Sequence, residues 1–389
     1  MVSMATLAEC RVEEGHAVIE TQFAPDACPP VPGGTGSAEA FTGTLVFSGF
    51  GELVRELGGR ADPLLEQCGL DPRTFSKADG RVSQKRAGQL LEIAAVQLGC
   101  PDFGLRLGAR QSMPNVMRPL LGLFYNAPTL RDSFGACIRH MGAYNSGVVM
   151  HFDDDFADER SLLHLHFVDH TAIFPQLMEM LVLLTNESST FLTDGFGRSR
   201  EIHFSHSPVS RPATYARHFD SVVRFSQGFD GIVFGHADLA ARVSDEGDER
   251  FAREEQRISG KFPVNECGLA LETRLAVLGL LTANEHCTRL NVAHRLGMQE
   301  RTLNRRLAKE NTSFEAVRDE ARCRLAYRYL SRTDLSLTEI TGKLGYSEVA
   351  VLSRSCRRWF GAPPRRLRQS FSKNFGARNG TSPHNALQA

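Results

Sequence analysis

The side chains best placed to do chemistry in this sequence lie in two arginine-rich stretches. The first is LNVAHRLGMQERTLNRRL, Leu290 to Leu307. The second, ITGKLGYSEVAVLSRSCRR, runs from Ile340 to Arg358, about fifty residues later. A guanidinium is a permanent cation with a rigid fork of donors, suited to phosphate and to the edge of guanine. In both stretches the second of two short predicted helices is rich in arginine, with a glycine at the turn between them. Val292, Ala293 and Leu296 face inward, Gly297 takes the turn, and Leu303 and Leu307 pack the second helix. Ile340, Leu344, Gly345 and Leu352 repeat the pattern. The turn needs a residue tolerant of positive φ, and the crossing of the helices needs a small one. This is helix-turn-helix spacing, which leaves the second helix proud and its polar side chains free to enter a major groove. Any helical hairpin can imitate one such match. Two matches, both arginine-rich, point to a nucleic-acid reader.

Other candidate chemistry is weaker. His164 and His166 lie two apart on a predicted strand and share a face, with His151 and His170 near in sequence. Two histidines with no fixed carboxylate or cysteine partner make a thin metal signal. They are read as solvent-facing or hydrogen-bonded, and no metal or cofactor is expected. Asp153, Asp154 and Asp155 read as an acidic hairpin turn, Cys356 as a small buried thiol, and Trp359 as core. The sequence contains no GxSxG, P-loop or HExxH pattern. No cysteine has the neighbours that would activate it, so an enzyme fused to a DNA-binding unit, such as a repair methyltransferase, is not expected.

The elements that must position the arginines occupy the last quarter of 389 residues. Formal net charge is zero, but from Thr288 to Ser370 there are 18 Lys+Arg against 8 Asp+Glu, and up to Cys287 there are 25 against 37. A basic block on an acidic body is the footprint of a nucleic-acid module carried by a different domain. Thr312–Glu315 fits a capping box opening one helix of about 19 residues, or about 28 Å. Phe314, Val317, Ala321 and Leu325 line its face. Such a rod can hold two reading helices near the spacing of about 34 Å between successive major grooves. Ser336–Glu339 is a second capping box.

Ahead of this unit, residues 1–43 contain CPPVPGGTGS and read as a disordered leader. Residues 44–243 read as an α+β domain. Helices are expected up to about 145, with Gly69 stopping one of them. The stretches 147–152 and 161–168 then form a hairpin around the acidic turn. A helix follows at 174–191, and further short antiparallel strands at 201–204, 222–225 and 231–234. Residues 244–267 are a charged linker, 268–370 the DNA-reading unit, and 371–389 a disordered tail. The N-terminus lacks a secretory pattern, the apolar runs are too short and polar to span a bilayer, and nine scattered cysteines with no CxxC pair fit a reducing cytoplasm.

The stretches GMQERTLNRRLAKENTSFEAVRDEARCRLAYRYL and LSLTEITGKLGYSEVAVLSRSCRRWFGAPPRRLR resemble the AraC/XylS family of bacterial transcription regulators. LLEQCGLDPRTFSKADGRVS, PDFGLRLG and APTLRDSF resemble the sensor domain of its arabinose-binding-like subgroup. The resemblance implies two helix-turn-helix motifs joined by a linker helix. It places Arg301, Asn304 and Arg305 against bases, with Val349, Ala350, Val351, Ser353 and Arg354 at the corresponding positions of the second motif. Arg306, Arg357 and Arg358 are assigned to phosphates. It also implies a promoter as partner, contact with RNA polymerase and activation. The front domain is then expected to bind a small effector, to dimerise, or both. A ligand-independent architectural DNA-binding protein is the alternative. Gln299 departs from the family's small hydroxyl cap, and Thr341-Gly342 from a more helical pair.

Overall fold

The computed structural model describes residues 40–369, except 117, 169–173, 228, 245–247, 262–268, 283–284 and 334. His170, the tail and nearly all of the expected leader therefore lie outside the described residues. The front part runs β1 (Phe41–Gly43), α1 (Phe50–Glu56), α2 (Ala61–Gln67), α3 (Pro72–Phe75), β2 (Arg81–Ser83), α4 (Gln84–Gln97), α5 (Phe103–Gly108), α6 (Met113–Val116), α7 (Leu121–Asn126), α8 (Leu130–Tyr144), β3 (Val148–Ala157), β4 (Arg160–Phe167), α9 (Pro175–Leu192), β5 (Ser199–His203), α10 (Pro212–His218), β6 (Val222–Arg224), β7 (Asp230–Gly235), α11 (His236–Leu239) and α12 (Asp248–Lys261). The back part runs α13 (Leu269–Thr282), α14 (Arg289–Arg295), α15 (Glu300–Lys309), α16 (Phe314–Arg332), α17 (Leu337–Lys343) and α18 (Val349–Phe360).

The centre of the front part is a five-stranded sheet in the order β3-β4-β7-β5-β6. Period-two alternation splits its side chains between two faces. Leu163, Leu165 and Phe167 of β4, with Ile232 and Phe234 of β7, join the main apolar core against α8 and α9. Leu162 and Val233, on the other face, belong with Phe229 to a separate small cluster, and His164 and His166 alternate onto that face.

Several expectations need correction. All strands but one pair run antiparallel: β6 lies parallel to β5, because the chain between them carries α10 and returns as a crossover. The acidic triplet is not a turn. Asp153–Asp155 lie inside β3, and the reversal comes at Asp158-Glu159, where Glu159 has φ 54°. His164 and His166 are not solvent-facing but 1% and 7% exposed. Phe41–Gly43, at the end of the expected leader, pairs with Arg81–Ser83. Asp248–Lys261, within the stretch read as a linker, is a helix; its Ile258 is buried, Phe251 packs on the core, and its Glu255 accepts from Arg139 Nε at 2.7 Å.

The back part has its own core, from Leu269 through Leu307, Tyr329 and Leu352 to Leu367. No helix among the described residues is long and apolar enough to cross a membrane.

Candidate nucleic-acid interface

The back unit is built around α16, the 19-residue helix expected at this position. Its start differs from expectation. Ser313 rather than Thr312 is the N-cap, its hydroxyl accepting from the Ala316 amide at 3.2 Å. Phe314, Val317, Ala321 and Leu325 line its buried face. Full burial of a side chain of this size contributes about 1.5–3 kcal/mol. α13 packs on α14, α15 and α16, while α18 packs on α16 and α17.

Two helix pairs flank this rod. In the first, Thr288 caps α14 by accepting from the Asn291 amide at 3.2 Å, and Gly297 turns the chain at φ 63°. In the second, Ser336 and Glu339 form the expected capping box on α17, and Gly345 turns at φ 64°. A residue with a Cβ is strained in that left-handed region. The second helix of each pair lacks a side-chain cap: Gln299 before α15 and Glu348 before α18 make no such hydrogen bond. Their first-turn amides therefore point outward unused by the flanking side chain.

Both outer helices are amphipathic. On α15, Leu303 and Leu307 are fully buried, Arg301, Arg305 and Arg306 are exposed, and Asn304 is half-buried. On α18, Leu352, Cys356 and Trp359 are buried, Ala350, Arg354, Arg357 and Arg358 are exposed, and Val349, Val351 and Ser353 are half-buried. Burial pushes the Cys356 thiol up to about 12, as a core thiol requires. Arg301, Asn304 and Arg305 share one face of one turn of helix. Among the described residues no ion pair holds Arg301, Arg305, Arg306, Arg354 or Arg357. Arg358 differs: with Trp359 Nε1, at 3.0 Å, it is tied to the carboxylate of Asp319 on α16.

Sequence reasoning missed what joins this unit to the front domain. Arg295 of α14 forms an ion pair with Asp153 of β3, and Arg328 of α16 lies 3.7 Å from Asp230 of β7. Neither partner follows from sequence spacing. The only sign was an acidic run placed opposite a basic block.

Known families and proteins resemble both parts of the chain. Residues 58–243 match the arabinose-binding domain of AraC transcription regulators, and residues 292–370 match a helix-turn-helix domain. The HTH-type transcriptional regulator VirS of Mycobacterium tuberculosis is 30% identical over 327 residues, 82% of this chain and 94% of the relative. The ornithine utilization regulator of Pseudomonas aeruginosa is 25% identical, covering 85% of this chain and 98% of its own. The crystal structure of CdpR from the same organism is 19% identical, at a TM-score of 0.35, over 79% of this chain and 96% of that one. The chain belongs to the AraC family of DNA-binding transcription regulators.

Proposed function

We propose that the protein is a cytoplasmic, sequence-specific activator whose two helix pairs are both helix-turn-helix motifs, spaced by α16 to reach successive major grooves. The observation that carries this reading is the pair of outward arginine faces on α15 and α18, the first built on buried Leu303 and Leu307 and the second on buried Leu352, Cys356 and Trp359. Arg301 and Arg305 suit guanine O6/N7, and Asn304 suits adenine N6/N7. Val349, Ala350 and Val351 offer methyl contacts to thymine, and Ser353 and Arg354 add polar ones. Arg306 and Arg357 meet phosphates, helped by the open first-turn amides. Arg358 already serves Asp319, so its phosphate role is secondary to holding α18.

A small effector would act through differential affinity for two arrangements of the front and back parts. An apolar cavity of about 60 Å³ lies between α8, α9 and the sheet, lined by Phe134, Met141, Tyr144, Met150 and Leu165. In this reading a small apolar effector enters here, with the lining side chains moving apart to admit it. Contact with RNA polymerase and a homodimer belong to the same reading, and no catalytic role is assigned.

The test is selection of genomic fragments by the purified full-length protein, then footprinting at physiological salt. A protected site spanning two successive major grooves on one face is expected. Retention of all fragments alike, lost together as salt rises, would overturn the reading in favour of a ligand-independent architectural protein.

A further inference from the structure

The histidines set aside as a weak signal meet on the outer face of the sheet. β3 and β4 pair His151 directly with His164, and His166 follows two residues on along the same face. The rings of His151 and His164 lie 4.5 Å apart at 3°, and His166 is 5.3 and 5.4 Å from the other two. One ring nitrogen from each lies within 4.8 Å of the others. His164 is 1% exposed, yet neither of its nitrogens makes a hydrogen bond, nor does Nδ1 of His151. A buried polar atom left so is unfavourable unless a ligand meets it. Gly231 of β7 stands across from His164, leaving that side of the ring to the edge of Phe229, 5.2 Å away.

We propose that His151, His164 and His166 bind a borderline divalent transition cation of the Zn²⁺ class. Imidazole is the ligand that such ions favour over Mg²⁺ or Ca²⁺. Shared ligation at about 2.0–2.1 Å needs the nitrogens to draw closer and the stacked rings to tilt out of their near-parallel arrangement, so that their in-plane lone pairs converge on one ion. The adjacent anion is Asp153, whose Oδ2 is 4.0 Å from Nε2 of His164. Carboxylates in that position orient metal-bound histidines.

The same carboxylate holds Arg295 of α14, and a Cβ at Gly279 of α13 would sit 3.5 Å from it. A cation here would compete with Arg295 for Asp153, so the site is placed to bias the seat of the first helix pair. This consequence rests on the DNA-reading proposal; the site itself does not.

The test uses tag-free, full-length protein stripped with chelator and then titrated with Zn²⁺ and with Co²⁺ as a spectroscopic probe, without DNA. One equivalent is expected, binding at micromolar or tighter, with visible Co²⁺ bands of nitrogen ligation. His164→Gln and His166→Gln should each weaken binding at least tenfold, with His218→Gln as an unchanged control. Should either buried variant misfold, His151→Gln, at a half-buried position, carries the same expectation. Absence of saturable binding by the wild type, or equal affinity in the folded variants, would overturn the proposal. Because no DNA is present, that failure would leave the regulator reading standing.

Discussion

In the first helix pair, α14 is anchored outside its own unit, by Arg295 to Asp153 of the sheet. In the second, α18 is anchored within it, by Arg358 and Trp359 to Asp319 of α16. The side chains of Arg295 and Asp153 are only 18% and 8% exposed, while those of Arg358 and Asp319 are 62% and 36% exposed. The exposed faces differ as well: α15 presents two arginines and an asparagine together, whereas α18 begins with Val349, Ala350 and Val351. One pair thus carries more hydrogen-bonding chemistry and the more buried link to the front domain; the other is an internal fixture offering methyl groups and positive charge. Any signal from the front domain should reach the first pair before the second.

The largest effect expected from this contrast is at the buried link. Asp153→Ala leaves the Arg295 guanidinium without its counter-ion, which costs about 3–5 kcal/mol for a buried pair. Chemical denaturation of the full chain should show that loss, either in the main transition or as a separate early one where the two parts come apart. Asp319→Ala should cost less. Its ion pair with Arg358 is exposed and contributes about 0–1 kcal/mol, while the buried Trp359 N–H left unmatched adds about 1–3 kcal/mol. If Asp153→Ala costs no more than Asp319→Ala, the two pairs are not anchored differently and the contrast fails.

A third substitution separates the two faces by their chemistry. Arg305→Ala should relax preference at one base position of the site, at about 1–3 kcal/mol, measured by competition between cognate and singly altered operators. Arg354→Ala should discriminate less, because Val349, Ala350 and Val351 beside it are apolar and only Ser353 adds a donor. Uniform loss on every operator for Arg305→Ala would move that arginine to a phosphate.

How much of this was legible beforehand depends on the range of the interaction. Gly297, Gly345, the Ser336–Glu339 box and the face of α16 were readable because their causes lie within a few residues: a left-handed turn, an amide within reach of a hydroxyl, a period of 3.6. The hairpin was readable too, but its turn was misplaced, because three aspartates suggest solvent and sequence gave no view of Arg295 and Arg131 neutralising two of them. His151 could not be set opposite His164 without the strand register. The parallel partner of β5 was likewise hidden, since nothing local marks which edge a short strand will join. The exposure of Arg301, Arg305 and Arg354 followed from helix period alone, whereas the commitment of Arg358 to Asp319, 39 residues away, did not.

The smallest predicted effect tests why both outer helices are left uncapped. Thr288 and Ser336 cap the first helix of each pair, yet Gln299 and Glu348 leave α15 and α18 without a side-chain bond to their first amides. Gln299→Ser would supply the missing acceptor, and a good N-cap contributes about 0.5–2 kcal/mol. Stability should therefore rise by about 1 kcal/mol, read as a higher denaturant midpoint at unchanged slope. If the open amides exist to meet a phosphate, DNA affinity should not rise with stability and should fall slightly as the serine competes for the same donors. Glu348→Ser adds a cap but also removes a negative charge from the end of α18 that faces DNA in the proposed docking, so it should raise affinity while Gln299→Ser does not. A gain in both affinities would show that capping merely orders the helices, and the open amides would then have no part in holding DNA.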